Sequence, residues 1–398
     1  MGENPTAGSV LVVDDTEVNI DLLVEAFGDI YDISVAMDGE TALESVSEEL
    51  PDLILLDIMM PGIDGYEVLE RIRQDHSPNA LPIIMATALE QSKDIVRALE
   101  LGANDYVTKP FDLPVVLARV RAQLSAKKAR EDLAAAHKKM KKDLEAAARI
   151  QQTLLPSSDH QIAGAEFSWR YLPCDELAGD TLNIVPLDEH RVALYVVDVS
   201  GHGVPSALLS VTLSRVMSGS GPGSSILWTR DSASGADRVA TPLEVAYELA
   251  ERFPHNSETG QYFTMVYAVL DLDKYEMSFV SAGHTPLIHL RRGEAPQSFS
   301  ATGPPIGLFP ATLLPPKFDE QTVRIESGDR LYFYSDGIPE AENAQDQEFG
   351  NQRLSDELQM LVDHPLDESL DSVLEKVKHW VEGNGHNDDV SILAVEVG

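Results

Sequence analysis

The segment LILLDIMMPGIDGYEVL, residues 53–69, decides the fold of the first third of the chain. Its apolar run Leu53 to Leu56 has the length of a buried strand and ends at Asp57, and a helical pattern follows from Val68. Further short runs with strand character lie on either side of it: Val10 to Val13, Ile33 to Ala36, Ile83 to Ala86 and Asp105 to Val107. Because helical patterns separate these runs, we predict an α/β unit with a doubly wound, five-stranded parallel sheet.

Polar residues stand where the predicted strands end. In chain order they are Asp14, Asp15, Asp57, Thr87 and Lys109. The carboxyl ends of parallel strands meet at one edge of a sheet, so these side chains should converge. Three carboxylates can hold one Mg²⁺, which would neutralise a phosphoryl group on Asp57 while Lys109 and Thr87 bind its oxygens. Each residue alone is explained as a cap or a solvated charge, but the ordered set predicts a phosphoacceptor site.

Residues 8–125 resemble the receiver domain of two-component response regulators. The segments that carry the resemblance are VLVVDD, LILLDIMMPGIDGYEVL, PIIMATA and GANDYVTKPF. It implies a flavodoxin-like strand order and transfer of a phosphoryl group to Asp57 from a histidine kinase or its phosphotransfer protein. It also implies Mg²⁺ bound by Asp14, Asp15, Asp57 and the backbone of Met59. Finally, it implies a switch pair, Thr87 and Tyr106, and a candidate cis peptide bond between Lys109 and Pro110.

The composition changes to Ala, Lys, Glu, Leu and Gln between Ser125 and Leu155, which predicts a helical linker over residues 126–156. Apolar residues recur at every seventh position of this linker: Leu133, Met140, Ala147 and Leu154. The repeat predicts a coiled coil, and therefore a homodimer paired through the linker helix. The alternative is a single solvated helix that acts as a spacer.

Beyond Pro156 the pattern predicts strands joined by tight turns, with helices elsewhere, in an α+β domain over residues 157–398. The predicted strands are Val192 to Val197, Phe263 to Leu272, Glu276 to Ala282, Leu331 to Tyr334 and Val390 to Val397. Thr241 followed by Pro242 predicts a helix start. The stretch Ser218 to Ala240 is rich in Gly, Ser and Asp and predicts a loop that is either a flap or disordered.

Four aspartates of this domain stand at strand ends or beside glycines. They are Asp180 in AGD, Asp198 in VVDVSGHG, Asp336 in YFYSDG and Asp388 in NDDVSI. Carboxylates gathered from distant positions repel one another unless cations hold them, and oxygen ligands favour Mg²⁺ or Mn²⁺ over zinc. Two such ions can support in-line phosphoryl displacement without a protein nucleophile. Since SDG alone is a common turn and DD alone a solvated pair, the prediction depends on the whole set.

Residues 145–398 resemble the PPM family of metal-dependent serine/threonine phosphatases, in its bacterial SpoIIE and RsbU branch. The matching segments are ARIQQTLLP, LAGDTLN, VVDVSGHGVPSALLS, YFTMVYAVLD, SAGHTPLIHL, GPPIGL, YFYSDGIPEA and GHNDDVSI. The resemblance implies two antiparallel sheets packed face to face and flanked by helices, with two Mn²⁺ or Mg²⁺ ions between the sheets. It implies a metal site formed by Asp180, Asp198, the carbonyl group of Val199, Asp336 and Asp388, with Asp389 next to the ions.

One segment departs from the family pattern. Where many relatives have Gly-Gly-Asp-Phe-Tyr-Asp, this chain has Ala178, Gly179, Asp180, Thr181, Leu182 and Asn183. The ligand Asp180 is kept, but an amide replaces a carboxylate at Asn183 and an aromatic residue is missing. We expect the departure to affect metal affinity or substrate choice.

Charge and cysteine content exclude several classes of protein. Sixty-six Asp and Glu against thirty Lys and Arg give a formal net charge of −36, which repels nucleic acid and anionic membrane. The single cysteine, Cys174, cannot form an internal disulfide. The sequence has no signal peptide and no apolar run of about 20 residues, so we expect a cytoplasmic protein without a membrane span.

These patterns together predict a response regulator in which phosphorylation of Asp57 controls a protein serine/threonine phosphatase. The family resemblance implies a phosphoserine or phosphothreonine protein as substrate, such as an anti-sigma factor antagonist in a partner-switching response. The alternative is a non-catalytic adaptor of the RssB type, which has this two-domain layout and binds a sigma factor or another regulatory protein. We favour the enzyme because a domain freed from catalysis has no physical reason to keep four mutually repelling carboxylates.

Overall fold

The computed structural model describes residues 8–88, 92–157, 162–219, 221, 223, 225–231, 234–381 and 388–398. These residues form two compact units that divide between Lys139 and Met140. None of the helices in these ranges combines the length and the apolar character that crossing a bilayer requires.

The first unit is an α/β layered structure. Its elements before the last helix are β1 (Ser9–Val13), α1 (Glu17–Phe27), β2 (Asp32–Ala36), α2 (Gly39–Glu48), β3 (Leu53–Asp57), α3 (Gly65–Asp75), β4 (Ile83–Thr87), α4 (Ser92–Glu100) and β5 (Asp105–Thr108). Within the described residues, five parallel strands form one sheet in the order β2-β1-β3-β4-β5. One face packs against α2, α3 and α4, and the other packs against α1 and the long helix that begins at Leu113. The predicted doubly wound sheet with flavodoxin-like order is therefore confirmed.

Helix α5 runs from Leu113 to Gln152 without interruption and contains most of the predicted linker. At its start, Val116 and Val120 are buried against the parallel sheet. Further along, the Lys127 side chain is largely buried, and its ammonium group lies 2.7 Å from Oδ1 of Asp52. Leu133 and Met140 of the predicted heptad seam are exposed. The helix is confirmed, whereas pairing of two copies through it stays a prediction.

The second unit follows the end of α5. Its first half contains β6 (Ala165–Leu172), β7 (Thr181–Pro186), β8 (Arg191–Val199), α6 (Val204–Met217), β9 (Trp228–Arg230), β10 (Asp237–Val239), α7 (Pro242–Arg252), β11 (Phe263–Asp271) and β12 (Glu276–Ala282). Its second half contains β13 (Leu287–Leu290), β14 (Gln297–Phe299), β15 (Gln321–Arg324), β16 (Arg330–Tyr334), α8 (Asn351–Met360), α9 (Leu366–Trp380) and β17 (Val390–Val397).

Two antiparallel sheets dominate this unit. In the part of the chain that the structure describes, each has five strands, in the orders β15-β12-β11-β8-β7 and β14-β13-β16-β17-β6. Apolar side chains of both sheets meet in one buried cluster between them. Helices α6 and α7 cover the outer face of the first sheet, and α8 and α9 cover that of the second. The predicted α+β layering, with two packed antiparallel sheets flanked by helices, is confirmed.

Two local expectations have different outcomes. Helix α7 begins as predicted, because the Thr241 hydroxyl and the Glu244 carboxylate form a capping box around Pro242. The expected loop between Ser218 and Ala240, by contrast, contains an antiparallel ribbon formed by β9 and β10. Strands of three residues with mixed polarity give no periodic signal, so the sequence does not reveal them.

Candidate functional sites

In the first unit, three carboxylates and one ammonium group meet at the carboxyl end of the parallel sheet. Ligand oxygens of Asp14, Asp15 and Asp57 all lie within 4.8 Å of one another. The Lys109 ammonium lies 2.7 Å from Asp14 Oδ2 and 2.6 Å from Asp57 Oδ2. The Met59 amide donates to Asp57 Oδ1 over 3.4 Å, so its backbone also borders the site. The three predicted aspartates and Lys109 therefore converge at the strand ends.

Burial and charge set the electrostatics of this site. Asp14 and Asp57 are almost completely buried. Burial raises the pKa of the Asp57 carboxyl, although hydrogen bonding to Lys109 opposes the increase. Burial also works against the charge of Lys109, but hydrogen bonds to Asp14 and Asp57 raise its pKa above the usual lysine value. The ammonium group thus stays charged where a phosphoryl group would arrive.

The other predicted members of this site lie on β4 and β5. Thr87 is the buried last residue of β4. Tyr106 is half-buried in β5 beneath the Arg119 guanidinium, which is 5.3 Å from the ring centre. The peptide bond between Lys109 and Pro110 is cis. A Cβ atom on Gly65 would lie 2.1 Å from the Asp57 carbonyl oxygen, so the chain can pass this close to Asp57 only with glycine at position 65.

In the second unit, strand alternation directs acidic residues toward the space between the two sheets. In β8, Leu194 and Val196 face the opposite sheet, so Asp198 faces the same side at the strand end. Asp336 follows β16, and Asp388 and Asp389 immediately precede β17. A Cβ atom on Gly337 would lie 2.1 Å from the Asp389 carbonyl oxygen, so only glycine lets these two loops approach so closely.

Asp180 reaches the same region from the irregular segment before β7. It is buried, and its Oδ2 atom is one of the buried polar atoms that lack a hydrogen-bond partner among the described residues. The Val199 carbonyl oxygen lies beside this segment, because a Cβ atom on Gly179 would be 2.7 Å from it. The predicted ligand residues Asp180, just before β7, and Val199, at the end of β8, thus lie on neighbouring parts of the chain.

Mutual repulsion shows in the pKa values of the acids. Burial, and then the charges of Asp336 and Asp388, raises the pKa of Asp198 to about 8. Burial, and then Asp388 and Glu340, raises the pKa of Asp336 to about 6. The pKa of Asp180 is raised well above the usual value, chiefly by burial and then by Asp198. Ionised together, these groups require cations for charge balance.

The donor set fits hard divalent cations. The site offers carboxylate oxygens from four separated segments, including the unpaired buried Oδ2 of Asp180, and such oxygens are the preferred ligands of Mg²⁺ and Mn²⁺. Among the described residues, the acids are not all equally close. Cys174, Asp388 and Asp389 have ligand atoms within 4.8 Å of one another, and that group does not include Asp180, Asp198 or Asp336.

A cavity of about 340 Å³ opens beside Asp198 and Asp336. Its wall includes Glu340, Glu348 and the buried His284, whose Nδ1 lies 2.7 Å from the Thr264 hydroxyl. The sequence analysis missed Glu340. The sequence feature that could have identified it is a carboxylate four residues after Asp336. The Glu340 amide donates to the Asp336 carbonyl over 2.8 Å, which brings the two residues into one turn.

Gln151, which the sequence analysis missed, bonds the chain two residues before Asp180, and Asn183, which it had named, makes a separate contact. Gln151, at the end of α5, donates from Nε2 to the Ala178 carbonyl over 2.7 Å and to the Ser210 hydroxyl over 2.9 Å. Asn183, the amide that departs from the family pattern, donates from Nδ2 to the Leu154 carbonyl over 3.2 Å. A carboxylate at position 183 could not donate this bond.

Comparison with known proteins finds a family model for each unit. The model of the family Stage II sporulation protein E (SpoIIE) matches residues 188–398, and the response regulator receiver domain model matches residues 10–121. The chain belongs to the SpoIIE family. It carries a receiver domain in front of the SpoIIE domain.

Individual relatives of this SpoIIE-family chain each match only a part of it. Response regulator PleD of Caulobacter vibrioides is 45% identical over 114 residues, 28% of this chain and 25% of PleD. The alkaline phosphatase synthesis transcriptional regulatory protein PhoP of Bacillus subtilis is 46% identical over 137 residues, 34% of this chain and 54% of PhoP. The chain therefore spans between a quarter and about half the length of these curated relatives.

The second part resembles a solved phosphatase domain in fold. The SiaA-PP2C domain of Pseudomonas aeruginosa aligns with a TM-score of 0.53 and 21% identity, covering 67% of this chain and 100% of that domain. This likeness establishes the PP2C fold of the SpoIIE-family unit. The metal and catalytic roles of individual residues are taken up as proposals below.

Proposed function

We propose that this protein is a response regulator in which phosphorylation of Asp57 controls a metal-dependent protein serine/threonine phosphatase. The observation that carries the proposal is that Asp198 and Asp336 line one cavity of the second unit, with Asp388 near enough to raise the pKa of both and Asp180 buried close to Asp198. Their raised pKa values indicate that the negative charges of this site are not balanced without cations.

The receiver residues would perform phosphoryl transfer at Asp57. A carboxylate oxygen of Asp57 forms the new P–O bond while the P–N bond of a donor phosphohistidine breaks. Asp14, Asp15, Asp57 and the Met59 carbonyl would hold Mg²⁺, which supplies charge neutralisation when bound. Lys109, whose ammonium lies 2.7 Å from Asp14 and 2.6 Å from Asp57, would bind a phosphoryl oxygen. Thr87, with Tyr106, would respond to the new group as a switch pair.

In the phosphatase unit, Asp180, Asp198, the Val199 carbonyl, Asp336 and Asp388 would hold two Mn²⁺ or Mg²⁺ ions. When bound, such a pair acidifies water and neutralises phosphoryl charge. We propose His202 as the proton donor to the departing seryl oxygen. Its Nδ1 lies 3.3 Å from Asp175 Oδ2, so a protonated ring would have a carboxylate partner. In this step the oxygen of an attacking water forms the new P–O bond as the seryl P–O bond breaks, and the seryl oxygen takes the proton of His202.

The proposed substrate is a protein that carries phosphoserine or phosphothreonine, of the anti-sigma factor antagonist type. The family resemblance supports this class, and the open cavity beside Asp336 offers room for the residues around a phosphorylated side chain. The proposed partners of the receiver are a histidine kinase or its phosphotransfer protein. A second copy of the chain, paired through the exposed Leu133 and Met140 of α5, would complete the assembly.

A phosphatase assay on the purified full chain tests the function. We expect release of phosphate from a phosphoserine peptide to require Mn²⁺ and to change when acetyl phosphate is added. Removal of the metal with a chelator should stop the reaction. If no divalent cation supports release, the site does not catalyse, and the non-catalytic adaptor becomes the better account.

The contacts of Gln151 suggest how α5 communicates with the site. Gln151 is buried, and its side chain bonds both the carbonyl and the amide of Ala178, two residues before Asp180. We predict that Gln151→Ala raises the Mn²⁺ concentration needed for half-maximal activity by about tenfold, since a buried hydrogen bond is worth about 1–3 kcal/mol when one partner is removed. Mn²⁺ titration of the phosphatase rate measures this.

Gln152→Ala is the matched control, because Gln152 is the next residue of the same helix and is exposed. It should behave like the parent. Equal Mn²⁺ requirements in all three proteins would mean that the end of α5 does not support Asp180.

A further inference from the structure

The buried carboxylate of Asp389 accepts hydrogen bonds from backbone amides. It is 3% exposed, whereas its neighbour Asp388 is exposed. Oδ1 accepts the Cys174 amide over 2.9 Å, and Oδ2 accepts the Gly179 amide over 2.7 Å and the Asp180 amide over 3.4 Å. One side chain thus satisfies three backbone donors of the segment that delivers Asp180.

Asp389 shares the support of this segment with Gln151, which bonds both the amide and the carbonyl group of Ala178. Residues 173–180 contain neither helix nor strand, so their backbone groups need partners from outside the segment. A carboxylate is a strong acceptor for backbone N–H groups because charge-assisted bonds are shorter and stronger than neutral ones. Asp389 therefore helps to fix the backbone of residue 180, whose carbonyl group also accepts the Tyr171 hydroxyl over 3.3 Å.

The main chain of residue 389 contacts the loop that carries Asp336. Its carbonyl oxygen accepts the Ser335 hydroxyl over 3.2 Å, and Gly337 packs against the same carbonyl. Its amide donates to Asp388 Oδ1 over 2.8 Å. Residue 389 is consequently in contact with three of the segments that supply proposed metal ligands.

We propose that Asp389 is a positioning residue, which holds Asp180 in place for metal binding through the amides of Cys174, Gly179 and Asp180. This inference rests on the proposed metal-dependent function. It assigns Asp389 a role different from that of a ligand, since both of its oxygens already accept hydrogen bonds.

The test replaces Asp389 with Asn, which keeps the shape of the side chain but turns one acceptor oxygen into a donor group. Calorimetric titration with Mn²⁺ should show unchanged stoichiometry and an affinity weakened by about tenfold or more, in the range known for residues that orient metal ligands. Hydrogen exchange should become faster at the amides of residues 174–180. Excess Mn²⁺ should restore turnover.

Asp363→Asn is the control, because Asp363 is an exposed aspartate whose side chain is 79% accessible. Loss of one bound Mn²⁺ in the Asp389 variant would overturn the proposal and make Asp389 a ligand. Unchanged Mn²⁺ affinity together with unchanged hydrogen exchange would overturn it as well.

A measurement on the parent protein covers the case in which the variant does not fold. The amides of Cys174 and Gly179 should be protected from exchange before metal is added. Rapid exchange at these amides would overturn the proposal that Asp389 holds the segment. If the parent binds no Mn²⁺ and releases no phosphate, the proposed function fails, while the exchange data still decide whether Asp389 holds the segment.

Discussion

Asp336→Asn should lower Mn²⁺-dependent phosphate release by about a hundredfold or more, because it removes a proposed ligand oxygen and a charge that binds the cations. The fold should remain intact. Burial and neighbouring acids already raise the pKa of Asp336 to about 6, so a neutral amide relieves repulsion in the metal-free protein. The measurements are steady-state turnover of a phosphoserine peptide and thermal unfolding without metal.

Asp346→Asn is the matched control for this variant. Asp346 is an exposed residue of the neighbouring turn with a positive φ of 56°, a conformation that asparagine adopts readily. It should turn over substrate like the parent. Undiminished release by the Asp336 variant would reject the assignment of the phosphatase site.

Asp57→Ala should make the phosphatase rate insensitive to a small phosphodonor. The substitution removes the carboxylate oxygen that would accept the phosphoryl group, and Lys109 then keeps Asp14 as its ion-pair partner at 2.7 Å. The rate with and without acetyl phosphate should therefore be equal in the variant and different in the parent. The basal rate without donor shows whether the unphosphorylated receiver restrains or supports the phosphatase.

Asp29→Ala controls for the loss of an aspartate from the same unit, since Asp29 is exposed after helix α1. This protein should respond to acetyl phosphate as the parent does. The same response in the Asp57 variant and in the parent would remove the receiver from the control of hydrolysis.

The parallel sheet of the first unit could be predicted almost residue by residue. Its central strands β1, β3 and β4 are buried on both faces, and continuous apolar runs such as Leu53 to Leu56 end where the polar site begins. In the second unit, the long strand Glu276–Ala282 was predicted with its observed bounds. Short strands such as β14 and β15 are partly exposed at sheet edges, and they lack the alternation on which such a prediction depends.

The support of the candidate site was harder to predict than its acids. Gln151 and Ala178 are 27 positions apart, and Asp389 and Gly179 are 210 positions apart. Bonds of this kind depend on how β6, β7 and β17 are arranged, and a single side chain carries no local signal for them. In the same way, Asp388 and Asp389 are equivalent as a sequence pair, but one is exposed and the other is buried.

The ion pair between Lys127 and Asp52 has a consequence for recombining this protein with other input modules. Asp52 immediately precedes β3, so Lys127 is anchored at the end of that strand opposite to Asp57. A chimaera joined just after residue 121, where the receiver match ends, would lose this anchor unless the donor module supplies its own acid. A fusion joint placed beyond Lys127 exchanges Asp52 and Lys127 together, so it does not leave the lysine buried without its acid.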